Sequence, residues 1–152
     1  MTREQWKQNP KQVNDSKNIY DVRKDINQTQ TGINWTKPLN DQQELYSMAY
    51  IGHREVTQYQ SIPSSAQKNP RHAGGVIDFE RDFYGADLRW TGKDLLPNTR
   101  ISAGLAYDAM NEDRQGYENF NLVNGKPSYG LKGVLRRDEN NTLWNVDPYL
   151  QA

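Results

Sequence analysis

Two groups of basic residues are the side chains in this sequence best suited to recognise an anion. They are Arg71, His72, Arg81, Lys132, Arg136 and Arg137. An arginine guanidinium holds a carboxylate through two parallel hydrogen bonds, so the candidate ligand-binding residues are Arg71, Arg81, Arg136 and Arg137. The alternative is ordinary solvated loop charge, because Asp138 and Glu139 follow the second group directly and offset it.

A second set of candidates combines aromatic and polar side chains. Tyr117, Phe120 and Tyr129 either stack on a planar ligand or pack a long loop onto itself. His53, two residues before Glu55, either touches a ligand or is a polar residue facing a water-filled interior.

Enzyme chemistry finds little support in the sequence. No GxSxG, HExxH or Walker-type motif is present. His53 and His72 do not define a metal site, and the absence of cysteine excludes thiolate ligands and disulfides. We therefore expect a protein that is not an enzyme and has no cofactor or bound metal.

Composition limits the class of protein. The chain has 152 residues, of which 34% are hydrophobic and 11% aromatic, with a mean hydropathy of -1.04. So polar a chain fills a single soluble core poorly, yet nine tyrosines and four tryptophans argue against disorder throughout. The formal net charge is zero, which predicts no nucleic-acid partner. No run resembles a membrane helix or a signal peptide.

Alternation of apolar and polar residues with a period of two predicts five antiparallel strands in meander order. The alternating runs are QTGINWTKPL, ELYSMAYIGHREVTQYQ, DFYGADLRWT, RISAGLAYD and a last run from Trp144 to Ala152. Residues 1–27 are predicted to be a polar loop segment, and 28–152 the strand-bearing part. Long loops are predicted near 60–77 and 109–142, and short turns near 38–43 and 92–98.

Short turns at one end and long loops at the other are typical of a transmembrane β-barrel. We therefore predict an all-β fold, part of such a barrel with long extracellular loops. Its aromatic faces meet lipid, with interfacial belts formed by Trp35, Tyr46, Trp90, Tyr50, Tyr84 and Tyr107. Its lumen-facing residues are predicted to include His53, Asp87 and Arg89, the last two pairing across strands with Arg100 or Asp108.

Four runs together resemble the barrel of TonB-dependent outer-membrane receptors. The runs are YIGHREVTQYQSIP, AGGVIDFERDFYGADLRWT, AGLAYDAMNEDRQGYENF and LKGVLRRDENNTLWNVDPYLQA. The resemblance covers residues 28–152. Within this family, the four runs are similar to the ferric-citrate-type branch or to the branch linked to pyrroloquinoline quinone uptake.

The resemblance implies a segment of a 22-stranded receptor in the cell outer membrane that imports a ferric siderophore or similar small anionic chelate. The implied partners are outer-membrane lipid, the anionic ligand and TonB, the last only through a plug domain that this sequence lacks. The alternatives are uptake of a carboxylate-rich cofactor such as pyrroloquinoline quinone, a soluble β-rich binding module, and a nonfunctional truncated product.

Overall fold

The computed structural model describes residues 2–94 and 97–152 and is an all-β, mostly antiparallel fold. Five long strands form one sheet in the order β1-β2-β3-β4-β7, which confirms the predicted five-stranded meander. The long strands are β1 (Arg23–Asn40), β2 (Gln43–Tyr59), β3 (Val76–Lys93), β4 (Arg100–Tyr117) and β7 (Leu135–Gln151).

Three short helices accompany the sheet: α1 (Arg3–Gln8), α2 (Asp15–Ile19) and α3 (Ser64–Gln67). Thr2 and Gln5 form a reciprocal capping box at the start of α1, and the Asn14 side chain caps α2. Two of these helices therefore lie within the segment predicted as a polar loop, and that segment ends where β1 begins at Arg23.

Four of the five long strands, β1, β3, β4 and β7, are longer than the alternating runs that predict them. β4 continues to Tyr117 and β7 begins at Leu135, so the predicted loop over 109–142 is wrong at both ends. Polar residues occupy both faces of β4 beyond residue 110, so the alternation that marks a half-buried strand is absent there.

A two-stranded hairpin fills the middle of that connection. β5 (Phe120–Val123) pairs with β6 (Lys126–Tyr129), and Val123 lies opposite Lys126. The two-residue loop is Asn124-Gly125, with φ values of +50° and +74°. Positive φ at both central residues matches the twist of paired strands, which is why Asn-Gly favours this turn.

The chain divides into two compact units, and each long strand contributes residues to both. Unit 1 comprises 2–27, 55–79 and 113–139, and it contains the helices and the β5–β6 hairpin. Unit 2 comprises 28–54, 80–94, 97–112 and 140–152, and it contains the turn between β1 and β2. The turn predicted near 92–98 includes residues 95 and 96, which lie outside the described residues.

Cross-strand contacts fix which side chains share a face in unit 2. The Arg89 guanidinium lies 4.7 Å above the Tyr46 ring, and the Thr91 and Ser102 hydroxyl oxygens are 3.2 Å apart. Because side chains alternate along a strand, these contacts assign every residue of the three strands to a face. The polar face so defined includes Asp87, Arg89, Asp108, Tyr46, Tyr50 and Tyr149.

The opposite face of unit 2, the apolar face, exposes large hydrophobic side chains on all five strands. Its members include Ile33, Ile51, Leu88, Leu105 and Val146. Ile33 is 69% exposed and Ile51 is 60% exposed. The sheet thus carries its hydrophobic side chains on a surface rather than inside unit 2.

On the polar face, aromatic rings lie directly over glycines of the neighbouring strand. A Cβ atom at Gly52 would overlap the Phe83 ring, and one at Gly104 would overlap the Tyr149 ring. A Cβ atom at Gly85 would come within 2.6 Å of the Tyr50 hydroxyl oxygen. Only glycine leaves room for these rings, so the contacts hold each strand in one register.

The predicted lipid belt is wrong for two of its tyrosines. Tyr46 and Tyr50 lie on the polar face, where their hydroxyls bond to Asn34 and Asp108 respectively. A tyrosine has an apolar ring and a polar hydroxyl, so its presence alone does not identify the face of a strand. Tyr84 and Tyr107 do share a face, with ring centroids 6.3 Å apart.

We expect Gly52→Val to destabilise the sheet by about 1–3 kcal/mol, because the added side chain displaces the Phe83 ring. The matched control is Ala49→Val, an exposed position on the opposite face of β2 where a β-branched residue fits. The measurement is a urea titration of the full chain in detergent micelles, followed by tryptophan fluorescence. Equal midpoints for the two variants would show that the ring does not depend on the glycine.

Candidate functional site

A cavity of about 610 Å³ in unit 1 is a candidate binding site for a small molecule. It lies between the end of α3 and the β5–β6 hairpin. Its lining includes Ser64, Lys68, Glu118, Phe120, Leu122, Pro127 and Val134. The volume is within the range of typical small-molecule sites, roughly 300–1,000 Å³.

The cavity lining is mainly apolar and carries one cation without a partner. Phe120, Leu122 and Val134 supply hydrophobic surface. Lys68 makes no hydrogen bond or ion pair with any residue that the structure describes, whereas Glu118 is paired with Arg136. The lining therefore suits a ligand with an apolar body and an anionic group.

Two buried amides support one wall of this cavity. Gln67 and Asn119 are 1% and 0% exposed. The Gln67 Nε2 atom donates to Asn119 Oδ1 at 2.7 Å, and the Asn119 backbone N–H donates to Gln67 Oε1 at 3.3 Å. Asn119 Nδ2 also donates to the carbonyl oxygens of Gln60 and Ile62, at 2.7 and 3.0 Å. Every polar atom of both side chains is satisfied, so the pair joins two connections through hydrogen bonds rather than through apolar contacts.

The backbone beside this pair is closely packed. Gly75 donates its N–H to the Tyr117 carbonyl at 2.8 Å. Its neighbour Gly74 has a φ of +95°, and a Cβ there would overlap the Tyr117 backbone. Both the left-handed conformation and the close approach require glycine at position 74.

Arg136, a predicted ligand-binding residue, is engaged within unit 1. Its Nη1 atom lies 2.9 Å from Glu118 Oε1, and its Nη2 atom donates to the Asn69 carbonyl at 2.8 Å. The Arg136 and Glu118 side chains are only 18% and 15% exposed. Arg137 also has an acidic neighbour, Glu139 at 3.1 Å, but this pair is well exposed.

The other two predicted arginines differ from each other. In unit 2, Arg81 Nε donates to Glu112 Oε2 at 2.9 Å, and the Glu112 side chain is 4% exposed. In unit 1, the exposed Arg71 side chain has no partner among the residues described. Three of the four candidates are thus paired with carboxylates of the chain itself, and ligand contact by these arginines stays a prediction.

The three predicted lumen-facing residues do not share a face of the sheet. Asp87 accepts a hydrogen bond from the Tyr149 hydroxyl at 3.2 Å, and it lies with Arg89 on the polar face. His53 lies on the opposite face, where its Nδ1 atom is 2.7 Å from Asp82 Oδ1. The predicted grouping of His53 with Asp87 and Arg89 is therefore wrong, because the odd-numbered residues of β2 lie on the apolar face.

The expected cross-strand pairs of Asp87 and Arg89 with Arg100 or Asp108 are not the contacts observed. Asp108 accepts instead from the Tyr50 hydroxyl, and Arg89 stacks on Tyr46. On the polar face, charged side chains thus contact tyrosines, whereas oppositely charged pairs were predicted.

The aromatic side chains of the long connection pack on one another. The Tyr129 ring lies 4.4 Å from Tyr20 and 6.0 Å from Phe120, measured between centroids. The Tyr129 hydroxyl donates to Ser64 Oγ at 3.1 Å. This arrangement agrees with the loop-packing interpretation of these residues.

Lys132 is also engaged within unit 1. Its ammonium bonds to Asp78 and lies 4.3 Å from the centroid of the Tyr117 ring. The hydrogen bond to Asp78 raises the pKa of Lys132 above its usual value. Sequence patterns gave no signal for Lys68, Gln67 or Asn119, because their roles depend on contacts between distant segments.

Comparison with protein-family models found no match to this chain. Across residues 2–94 and 97–152, no three histidine, aspartate or glutamate side chains come together as a metal site. Each helix in the described part of the chain is too short or too polar to cross a membrane.

We expect Arg136→Gln to destabilise unit 1 by about 1–3 kcal/mol, because it leaves the half-buried Glu118 carboxylate without its charged donor. Arg137→Gln is the matched control and should cost less than about 1 kcal/mol, because its ion pair is exposed. Hydrogen exchange of backbone amides in 60–75 and 118–134 measures local opening. Similar exchange rates in the two variants would contradict a supporting role for Arg136.

Proposed function

We propose that the strands of unit 2 form part of the wall of a transmembrane β-barrel. The observation that carries this proposal is the apolar face, which exposes Ile33, Ile51, Leu88, Leu105 and Val146 while the opposite face is polar. Among the described residues, the buried hydrophobic side chains are only Val56, Tyr59 and Val76, all in unit 1. An exposed hydrophobic face of this kind is typical of a surface that contacts lipid or another protein.

Strand length supports the same proposal. The strand segments within unit 2 are 28–40, 43–54, 80–93, 100–112 and 140–151, about 12–14 residues each. A tilted strand needs roughly 9–11 residues to cross the hydrocarbon layer. The sheet ends at β1 and β7, whose outer backbone groups need further strands as partners in lipid.

We further propose that the chain is a segment of a TonB-dependent outer-membrane receptor that takes up a small anionic ligand such as a ferric chelate. The sequence resemblance described above and the unpaired cations Lys68 and Arg71 support this proposal. In it, the unit 1 cavity is the ligand-binding part of the segment. A carboxylate-rich cofactor such as pyrroloquinoline quinone would carry the same charge.

A soluble β-rich binding module is the second candidate, favoured by the unit 1 cavity alone. The two candidates differ in what covers the apolar face. A soluble module would be monodisperse in plain buffer, whereas a barrel segment would aggregate there and be recovered in detergent.

We expect Leu88→Arg and Leu105→Arg each to destabilise the lipid-inserted chain by about 2–4 kcal/mol, because each places a charge on the lipid-facing side. Arg89→Leu is the control on the opposite face of β3 and should impair insertion far less. The measurement is urea-induced unfolding from phospholipid vesicles. If the three variants lose equal stability, the proposed orientation of the sheet is wrong.

For ligand capture, we expect Lys68→Gln, in the lining of the unit 1 cavity, to weaken binding of ferric citrate, the probe, several-fold at low salt. Lys126→Gln, an exposed lysine of the hairpin outside the cavity lining, is the matched control. Binding is followed by tryptophan quenching of the full chain in detergent. Losses as large in the control would indicate long-range attraction rather than a site.

A further inference from the structure

A second cavity, of about 620 Å³, lies in unit 2 where β2 and β4 begin and β3 ends, and it is distinct from the unit 1 cavity. Its lining comes from the polar face and includes Glu44, Arg89, Thr91, Lys93, Arg100 and Ser102. Three of these side chains are cations and one is an anion, so the side chains carry an excess of two positive charges. Gln151 and Ala152 complete the lining, and the carboxylate of Ala152 reduces this excess.

Two of the cations face each other across neighbouring strands. Thr91 lies beside Ser102, and Arg81 beside Glu112. The same antiparallel register places Lys93 opposite Arg100. Directly opposed residues have Cβ atoms about 4.5–5.5 Å apart, and like charges at this separation destabilise a sheet.

No described side chain of unit 2 is paired with either of these two cations. Lys93 and Arg100 form no ion pair or hydrogen bond through their side chains with any described residue, and neither does the Glu44 carboxylate. On the same two strands, Arg81 lies beside Glu112 and is paired with it. Lys93 and Arg100 lack such a partner, so a bound anion would relieve the repulsion between them.

The cavity also supplies neutral donors. The Thr91 and Ser102 hydroxyl oxygens lie 3.2 Å apart, and one of the two hydroxyls has a proton free to donate elsewhere. The Arg89 guanidinium is held 4.7 Å above the Tyr46 ring, which fixes its position at the cavity wall. An ammonium, a guanidinium and hydroxyls on one wall match the several acceptor oxygens of a tetrahedral oxyanion.

We propose that this cavity is an oxyanion site that takes a phosphate group, with Lys93 and Arg100 as its primary ligands. Arg89 contributes charge, and Thr91 or Ser102 contributes a hydroxyl hydrogen bond. Glu44 opposes binding, because its carboxylate lowers the positive charge that the anion meets. The phosphate comes either from free inorganic phosphate or from the headgroup of a phospholipid. The site depends on the polar face alone and so stands apart from the proposed uptake function.

The test is a titration of the full chain in zwitterionic detergent with inorganic phosphate at constant ionic strength, followed by phosphorus NMR line broadening. We expect saturable binding in the wild type. Lys93→Gln and Arg100→Gln should each weaken it about three- to tenfold, in keeping with charge-assisted bonds that remain partly solvated. Glu44→Gln should strengthen it, a change of opposite sign that damage to the fold would not produce.

Lys37→Gln, an exposed lysine of β1 outside the cavity lining, is the matched control and should leave the affinity unchanged. A parallel arm replaces inorganic phosphate with vesicles containing phosphatidylglycerol. Binding that depends on Lys93 and Arg100 only in the vesicle arm would identify the lipid headgroup as the source. Absence of saturable binding in both arms, or equal effects of Lys37→Gln and Lys93→Gln, would overturn the proposal.

Discussion

The contact on which unit 2 depends most is the placement of an aromatic ring over a glycine of the next strand. Phe83 covers Gly52, and Tyr149 covers Gly104. Each contact specifies a pair of residues rather than a type of surface, so a shift of one residue would bring a Cβ atom into the ring. Register in turn decides which side chains face each way, because side chains alternate with a period of two. The separation of an apolar from a polar face therefore follows from a few steric contacts.

Unit 1 is stabilised by a different kind of contact, because its connections are polar and its buried apolar side chains are few. The Gln67 and Asn119 amides close a network that uses all their donors and acceptors. Such a network is specific, since a single unsatisfied buried group costs about 1–3 kcal/mol. The half-buried Arg136–Glu118 pair acts beside it. Polar contacts of defined geometry thus hold the unit 1 cavity where a hydrophobic core would otherwise do so.

The sequence predicts the five strands and their order, because alternation is clear wherever one face is apolar. It does not predict the part of β4 beyond residue 110, where both faces of the strand are polar. It also assigns the side chains of β2 to the wrong faces, because Tyr46 and Tyr50 suit a lipid interface as well as a polar interior. The Asn124-Gly125 turn was a detectable hairpin signal inside a segment otherwise predicted to be a loop. The pairing of Arg81 and Arg136 with acids depends on register and on distant loops, which local patterns do not contain.

Arginine content is therefore a poor guide to anion binding in this chain, whose 19 basic and 19 acidic residues balance. Buried carboxylates such as Glu112 occupy their arginines, because an unpaired buried charge is far more costly than an exposed one. The cations still available for a ligand are those that register or loop structure leaves without a carboxylate. Lys93 and Arg100 are in this position because they are directly opposed on the polar face. A one-residue shift would turn either side chain toward the apolar face, so the steric fit of rings over glycines also determines where this protein can bind an anion.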